Sequence, residues 1–163
     1  MSDKKRVVAI AVDGSDYSSH AVEFYKDKVR KEGDSVVFIY VTEPVHLPVV
    51  TFKSGFNVPH EQWADIMKKR NEVLINIESD CEATKREIKE KDKTFESVVK
   101  HISDSEPGPG IVLASKEHNA ELIILGTRGM NTLRRTFIGS VSDYVLHHST
   151  IPVAIVPPAQ AAK

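Results

Sequence analysis

A doubly wound α/β fold, an open parallel sheet with helices on both faces, is the class this sequence predicts. Two observations carry it. Short runs that are apolar or aromatic at nearly every position, "VVAIAV", "VVFIYV" and "LIIL", recur along the chain, and they are separated by stretches with apolar residues at helical steps. A strand that is apolar on both sides is covered on both faces, and the helices between such strands supply that cover. The preference for right-handed crossovers then leaves few topologies.

The first strand lies in "RVVAIAVDGS", where Val7 to Val12 are apolar and Asp13-Gly14-Ser15 form a turn able to cap a helix. A helix from Asp16 to Lys31 follows, with Ala21, Tyr25 and Val29 at four-residue steps and Gly33 as its stop signal. "SVVFIYV", Ser35 to Val41, is the second strand. Residues 43–60 contain Pro44, Pro48, Gly55 and Pro59 and read as a long loop. From Glu61 to Lys91, Trp63, Met67, Leu74, Ile77, Cys81 and Ile88 form one apolar stripe on a charged helix. "TFESVVKH", Thr94 to His101, is a weaker strand. Pro107 to Gly110 breaks the chain before a helix that runs to Asn119. "AELIILG" is the fourth strand. Between Gly139 and Ser149, Val141, Tyr144, Val145 and His148 recur at helical steps, and "IPVAIV" is the last strand, ended by Pro157-Pro158. One domain spanning residues 1–163 is expected from this length.

Charge and cysteine usage narrow the function classes. With 22 Lys and Arg against 23 Asp and Glu the net charge is -1, which argues against a general nucleic-acid-binding surface but permits a local basic spot. Cys81 is the only cysteine, so no intramolecular disulfide can form. The start of the chain is polar, and the apolar run behind it is too short for a signal or membrane segment; the cytoplasm is the expected location.

The local basic spot is "GTRGMNTLRRTFIGSVS", Gly126 to Ser142, which carries Arg128, Arg134 and Arg135 and no carboxylate. Its glycines follow G-x2-G-x9-G-S: Gly126 ends a strand, Gly129 follows, and Gly139-Ser140 opens the last helix. Glycine at a strand end lets backbone approach a ligand closely, and a helix N-terminus offers unpaired N-H groups with a partial positive charge. Gly139, Ser140, Val141 and Ser142 could therefore present amides and hydroxyls to a phosphate. Taken singly, each of these residues is better explained as a turn residue or a cap than as a ligand contact. A Walker loop and a G-x-G-x-x-G motif are both absent. In open parallel sheets ligands sit beyond the carboxyl ends of the strands, where Asp13 and Gly126 both fall.

"VAIAVDGS", "FIYVTEP", "LIILGTRG", Gly139-Ser140 and "DYVLHHSTIPVAIVP" together resemble the universal stress protein family in its ATP-binding branch, with "LRRTFIGSVSDYVLHH" most like its eukaryotic members. The likeness spans Lys5 to Pro157. It implies a five-stranded parallel sheet in the order 3-2-1-4-5 with an adenine nucleotide, ATP or else AMP or ADP, between the first and fourth strands. By the same resemblance Asp13 would contact adenine or ribose and Val41 would meet adenine through its backbone. Gly126, Gly129, Gly139 and Ser140 would surround ribose and phosphates, with Val141 and Ser142 nearby. Mg2+ would travel with the phosphates, since the sequence offers no dedicated metal ligand. A homodimer through the last strand is implied too, and Ile151 to Val156 lack the charges that protect a sheet edge.

Other residues admit plainer roles. Asp13 could cap the first helix. His147 and His148 are adjacent on a helix and point about 100° apart, so they do not make an i, i+4 metal pair; they suit the last carbonyls of their helix instead. Cys81 and Trp63 belong to the apolar stripe, Cys81 as a buried thiol. Arg134 and Arg135 fit a solvated surface as well as they fit a phosphate. Three functions remain: a nucleotide-dependent stress-response regulator with unidentified protein partners, a slow ATP hydrolase or adenylating enzyme, and a ligand-free interaction module. No base, nucleophile or metal set assembles around the glycines, so no catalytic residue is assigned and the regulator is expected.

Overall fold

The computed structural model describes residues 5–42, 44, 60–127 and 139–158, excepting the side chains of 60–62. In chain order it contains β1 (Val7–Ala11), α1 (Asp16–Phe24) running on into a π-helical turn (Tyr25–Val29), β2 (Ser35–Thr42), α2 (His60–Lys91), β3 (Glu96–Ser103), α3 (Pro107–Glu117), β4 (Leu122–Gly126), α4 (Ser140–His148) and β5 (Val153–Val156). The strands form one parallel sheet, as their apolar pattern predicts, in the order β3-β2-β1-β4-β5 that the family resemblance implies. Strand β1 is central: Ala9 is in register with Val37 of β2 on one side and Ile123 of β4 on the other. The chain winds outward from β1 through β2 to β3, then returns to β4 on the other side, so the strand order reverses between β1 and β4.

Alternation along the strands divides the apolar runs between two cores. Val8, Ile10, Phe38 and Ile124 pack under α1 and α2 with Ala21, Tyr25, Ile77, Cys81 and Ile88. Ala9, Val37, Ile39, Ile123 and Leu125 pack on the opposite face with Ile111, Ala114 and Val145. Each fully buried Val, Ile or Phe contributes about 1.5–3 kcal/mol, which is why the continuous apolar runs mark the inner strands so clearly.

Several boundaries differ from the sequence expectation, each for a local reason. The first helix does not stay α-helical to Lys31: Arg30 N-H bonds Tyr25 O at 2.8 Å, an i to i+5 bond that widens the last turn. His60 belongs to α2 and not to the preceding loop. Thr94 is not in β3, because its N-H and hydroxyl both bond Asp92 Oδ1, at 3.0 and 2.6 Å, in a turn. The strand instead continues to Ser103, paired with Thr42. Ile151 is outside β5, since its N-H and carbonyl are both taken by the Ser149 hydroxyl at 2.9 Å. The largest correction is at Pro107-Gly108-Pro109-Gly110, which begins α3 instead of breaking the chain before it. Both prolines fall in the first turn, where amides lack intrahelical acceptors. The glycines permit close packing: a Cβ on Gly108 would lie 2.7 Å from Tyr144 of α4, and one on Gly110 3.3 Å from Val41. Helix α3 also stops at Glu117, and Asn119 takes the left-handed conformation (φ 53°) just beyond it.

At the amino end of the sheet a buried carboxylate ties three elements together. Asp34, 1% exposed, accepts from Arg6 Nε at 2.8 Å and from Arg6 Nη2, from the Tyr25 hydroxyl at 3.0 Å and from Lys31 N-H at 2.9 Å. Arg6 Nη2 also donates to Val29 O at 2.9 Å, in the π-helical turn. Nearby, buried Asp92 accepts from Thr94, from Gly33 N-H at 3.0 Å and from Arg30. The Thr94 hydroxyl above all, then Gly33 N-H, holds the Asp92 carboxyl below its usual pKa.

Candidate functional site

Where the strand order reverses, at the carboxyl ends of β1 and β4, the surface opens into a cleft of about 380 Å3. Seven of the eight residues singled out from the sequence line it: Asp13, Val41, Gly126, Gly139, Ser140, Val141 and Ser142. The eighth, Gly129, lies outside the described residues, as do Arg128, Arg134 and Arg135.

The cleft has three chemically distinct parts. Its apolar wall is Ile39 and Val41 of β2 with Ile111 of α3 and Leu125 of β4. The turn after β1 contributes Asp13, whose Oδ1 accepts from Ser15 N-H at 3.0 Å and from the Ser15 hydroxyl at 2.5 Å. Ser15, not Asp13, is the N-cap of α1 and accepts from Ser18 N-H. Asp13 thus shapes the turn and still faces the cleft. Gly14 allows this, since it sits at φ 76°, where side chains are strained. The third part is the start of α4. Its first intrahelical bond runs from Asp143 N-H to Gly139 O at 2.8 Å, so the amides of Ser140, Val141 and Ser142 have no acceptor within the helix. They form the positive end of the α4 dipole at the cleft. Among the described residues lining the cleft, Asp13 is the one charged side chain.

The glycines play unlike parts. Gly126 is a packing residue: a Cβ there would lie 2.3 Å from the Tyr17 carbonyl oxygen, so its hydrogen is what lets α1 sit against β4. That differs from the expectation that it clears space for a ligand. Gly139 is the opposite case. A Cβ on it meets nothing within 4 Å, and its φ of -57° suits any residue, so no packing reason for glycine exists among the described atoms. Ser140 is exposed in the first turn and is not the cap, which is Gly139. The Ser142 hydroxyl, 3% exposed, donates to Gly126 O at 3.4 Å and joins α4 to the end of β4.

Sequence reasoning missed Ile39, Pro107 and Ile111. Ile39 was legible as the residue two before Val41, on the same face of its strand. Pro107 and Ile111 share one helix face by their four-residue spacing, but that spacing was hidden by reading Pro107 to Gly110 as a break. Of the plainer roles, that of Cys81 holds; the histidines bond carbonyls of their own helix, though not its last ones, and Trp63 lies outside the core. His147 and His148 donate from Nδ1 to the carbonyls of Asp143 and Tyr144, at 2.8 and 2.9 Å, and the His148 ring stacks on Tyr144. Cys81 is buried, and burial pushes its thiol pKa up to about 12, the reverse of an activated nucleophile. Trp63 is only half-buried, at the part of α2 that precedes the core contacts. No group of three metal-ligating side chains occurs among the described residues, and no described helix is long and apolar enough to cross a membrane.

Fold and cleft together define an open, doubly wound α/β protein with a ligand-sized crevice at its switch point. The chain belongs to the universal stress protein family, whose sequence profile matches residues 5–157. Universal stress protein YxiE of Bacillus subtilis is 30% identical over 147 residues, covering 90% of this chain and 95% of that protein. Among solved structures, a universal stress protein family protein from Arabidopsis thaliana with AMP bound superposes with a TM-score of 0.60 at 17% identity, covering 95% of this chain and 93% of that one. A universal stress protein in complex with cAMP superposes with a TM-score of 0.55 at 18% identity, covering 95% and 98%.

Proposed function

We propose that this chain is an ATP-binding regulatory protein of the stress response, in which the cleft between β1 and β4 holds the nucleotide. The observation that carries the reading is Gly139: it opens α4 beside the cleft, no described atom requires it to be glycine, and the α4 amides that lack an acceptor within the helix follow it. Backbone amides at a helix start suit a phosphate chain. Asp13 is acceptor-only when ionised, so it favours hydroxyl or amino donors over phosphate, which supports a ribose or adenine edge at its end of the cleft. Ile39, Val41 and Ile111 offer an apolar wall for a flat base. The three parts thus match base, sugar and phosphate. The AMP and cAMP held by the two structural neighbours support an adenine nucleotide as the ligand. When bound, the nucleotide brings its own Mg2+, carried by the phosphates. Gly129 belongs to the same site in this proposal.

In this reading Asp13 and the start of α4 bind and orient the nucleotide and have no catalytic part. A cytoplasmic location suits the free thiol of Cys81. A second copy pairing along β5 completes the proposal. Calorimetric titration of nucleotide-free protein with ATP and with GTP tests it. ATP binding at about micromolar strength or somewhat weaker is expected. Absence of heat with either nucleotide rules out the reading, and a preference for GTP removes the adenine assignment alone. Mass spectrometry of nucleotide released on denaturing the purified protein identifies the form carried from cells.

A further inference from the structure

We propose that the groove between α1 and α2 is a second binding site, for a small organic ammonium compound with an apolar body. The groove has a volume of about 380 Å3, within the range of small-molecule pockets. It lies on the helix face opposite α3 and α4, and it shares only Val12 and Ser18 with the cleft at the strand ends. Two helix stripes form its walls. Ser18, Ser19, Val22, Glu23 and Lys26 recur at helical steps on one side, and Ile77, Asp80, Cys81, Thr84 and Glu87 do so on the other.

The floor and the mouth have different chemistry. Val22, Phe38, Ile77 and Cys81 are members of the core and nearly buried, so what the groove touches at its base is apolar. The glycine at position 14 leaves the upper end without a side chain. At the mouth stand Glu23, Asp80 and Glu87 against the single ammonium of Lys26, a surplus of negative charge. Lys26 Nζ is already held by Glu23 at 3.0 Å and Glu87 at 2.6 Å, and Asp80, which has no ion pair among the described residues, is the carboxylate that would meet an incoming cation. A guest with a hydrocarbon body would displace water from the floor while its ammonium faces carboxylates. A phosphate or carboxylate guest would meet the same charges as repulsion. The two cavities therefore select opposite charges, and this groove does not depend on the nucleotide reading of the other.

Amide nitrogen-proton spectra of the full chain during titration with 2-phenylethylammonium, 2-phenylethanol and 3-phenylpropionate test the proposal. Saturable shifts are expected with the ammonium compound, confined to Ser18–Lys26, Ile77–Glu87 and their strand neighbours. The alcohol should bind at least tenfold more weakly, and the carboxylate should not saturate. Asp80→Asn should weaken the ammonium compound at least threefold. Ala83→Trp, which places a large ring at an exposed position on the mouth, should abolish its shifts with an unchanged melting temperature. Equal shifts from all three compounds, no saturable shift, or shifts indifferent to both substitutions would overturn the proposal.

Discussion

Gly126 and Gly139 share a motif yet differ in what a methyl group would meet, and that difference is measurable. At Gly126 the obstacle is backbone, the Tyr17 carbonyl, which cannot swing aside as a side chain can. Gly126→Ala is expected to destabilise the fold by about 1–3 kcal/mol, the range for overpacking. At Gly139 the Cβ meets no described atom within 4 Å, so Gly139→Val should cost about 1 kcal/mol or less, the difference between glycine and an apolar N-cap. If the proposed site is right, ATP affinity should nevertheless fall at least tenfold, because the valine would stand where the proposal brings phosphate to the backbone. Thermal melts without nucleotide, set beside calorimetric titrations, separate the two; equal unfolding by both variants means that both glycines are structural. Cys81 allows a second test. Burial first, then the charges of Asp80 and Glu82, raise its pKa to about 12, above the unfolded value near 8.5. Tyr25 is raised as well, by burial and then by Asp34. Because both groups bind their protons more tightly when folded, their stabilising contribution is complete below about pH 8.5 and is lost as pH rises toward the folded values. Melting temperatures from pH 8 to 12 should decline, and the decline should be shallower in Cys81→Ala.

Among elements, the inner strands were legible and the edges of elements were not. "VVAIAV", "VVFIYV" and "LIIL" place β1, β2 and β4 to within a residue or two because every position meets a core on one face or the other. The start of β3 and the start of β5 are decided instead by side chains bonding backbone, Asp92 to Thr94 and Ser149 to Ile151, which no apolar pattern reports. The glycines of "PGPG" were misread as chain breakers because their use is tertiary, clearing Tyr144 and Val41. Asp34 was equally silent in sequence: a lone carboxylate after a glycine gives no sign of Arg6, twenty-eight residues earlier. Its position fastens the start of β1, the π-helical turn and the start of β2. Asp34→Ala leaves Arg6 and the Tyr25 hydroxyl without that partner. A loss of about 3 kcal/mol is expected, the lower end for a broken buried pair because water reaches Arg6. ATP affinity should be unchanged, since Asp34 lies at the amino ends of the strands and the cleft at their carboxyl ends. Urea unfolding with ATP titration checks both, and a variant that folds well but binds poorly would show that the two ends of the sheet communicate.

At the scale of the whole molecule, the two edges of the sheet differ. Strand β3 is long and carries Glu96, Lys100 and His101, charges and polar groups that discourage pairing with another chain. Strand β5 is short and wholly apolar, and Val153, Ala154 and Ile155 are only partly buried within one chain. Its outward side pairs with no described strand, because β4 occupies the inner side alone. A second copy related by a two-fold axis would pair with it antiparallel and close the interface. The ladder is limited by Pro152 and Pro157 to about the four residues Val153–Val156, too few for the roughly 1,200 Å2 that a stable interface needs. Side chains must supply the remainder, and Leu146 is available, exposed on α4, which packs against β5. Val153→Lys places an ammonium on that apolar strand. The wild-type chain is expected to be a dimer at micromolar concentration and Val153→Lys a monomer with an unchanged fold, as read by light scattering and circular dichroism. A wild-type monomer, or a variant dimer of undiminished strength, places the interface elsewhere. ATP affinity measured on the monomeric variant then asks whether one chain suffices for the site.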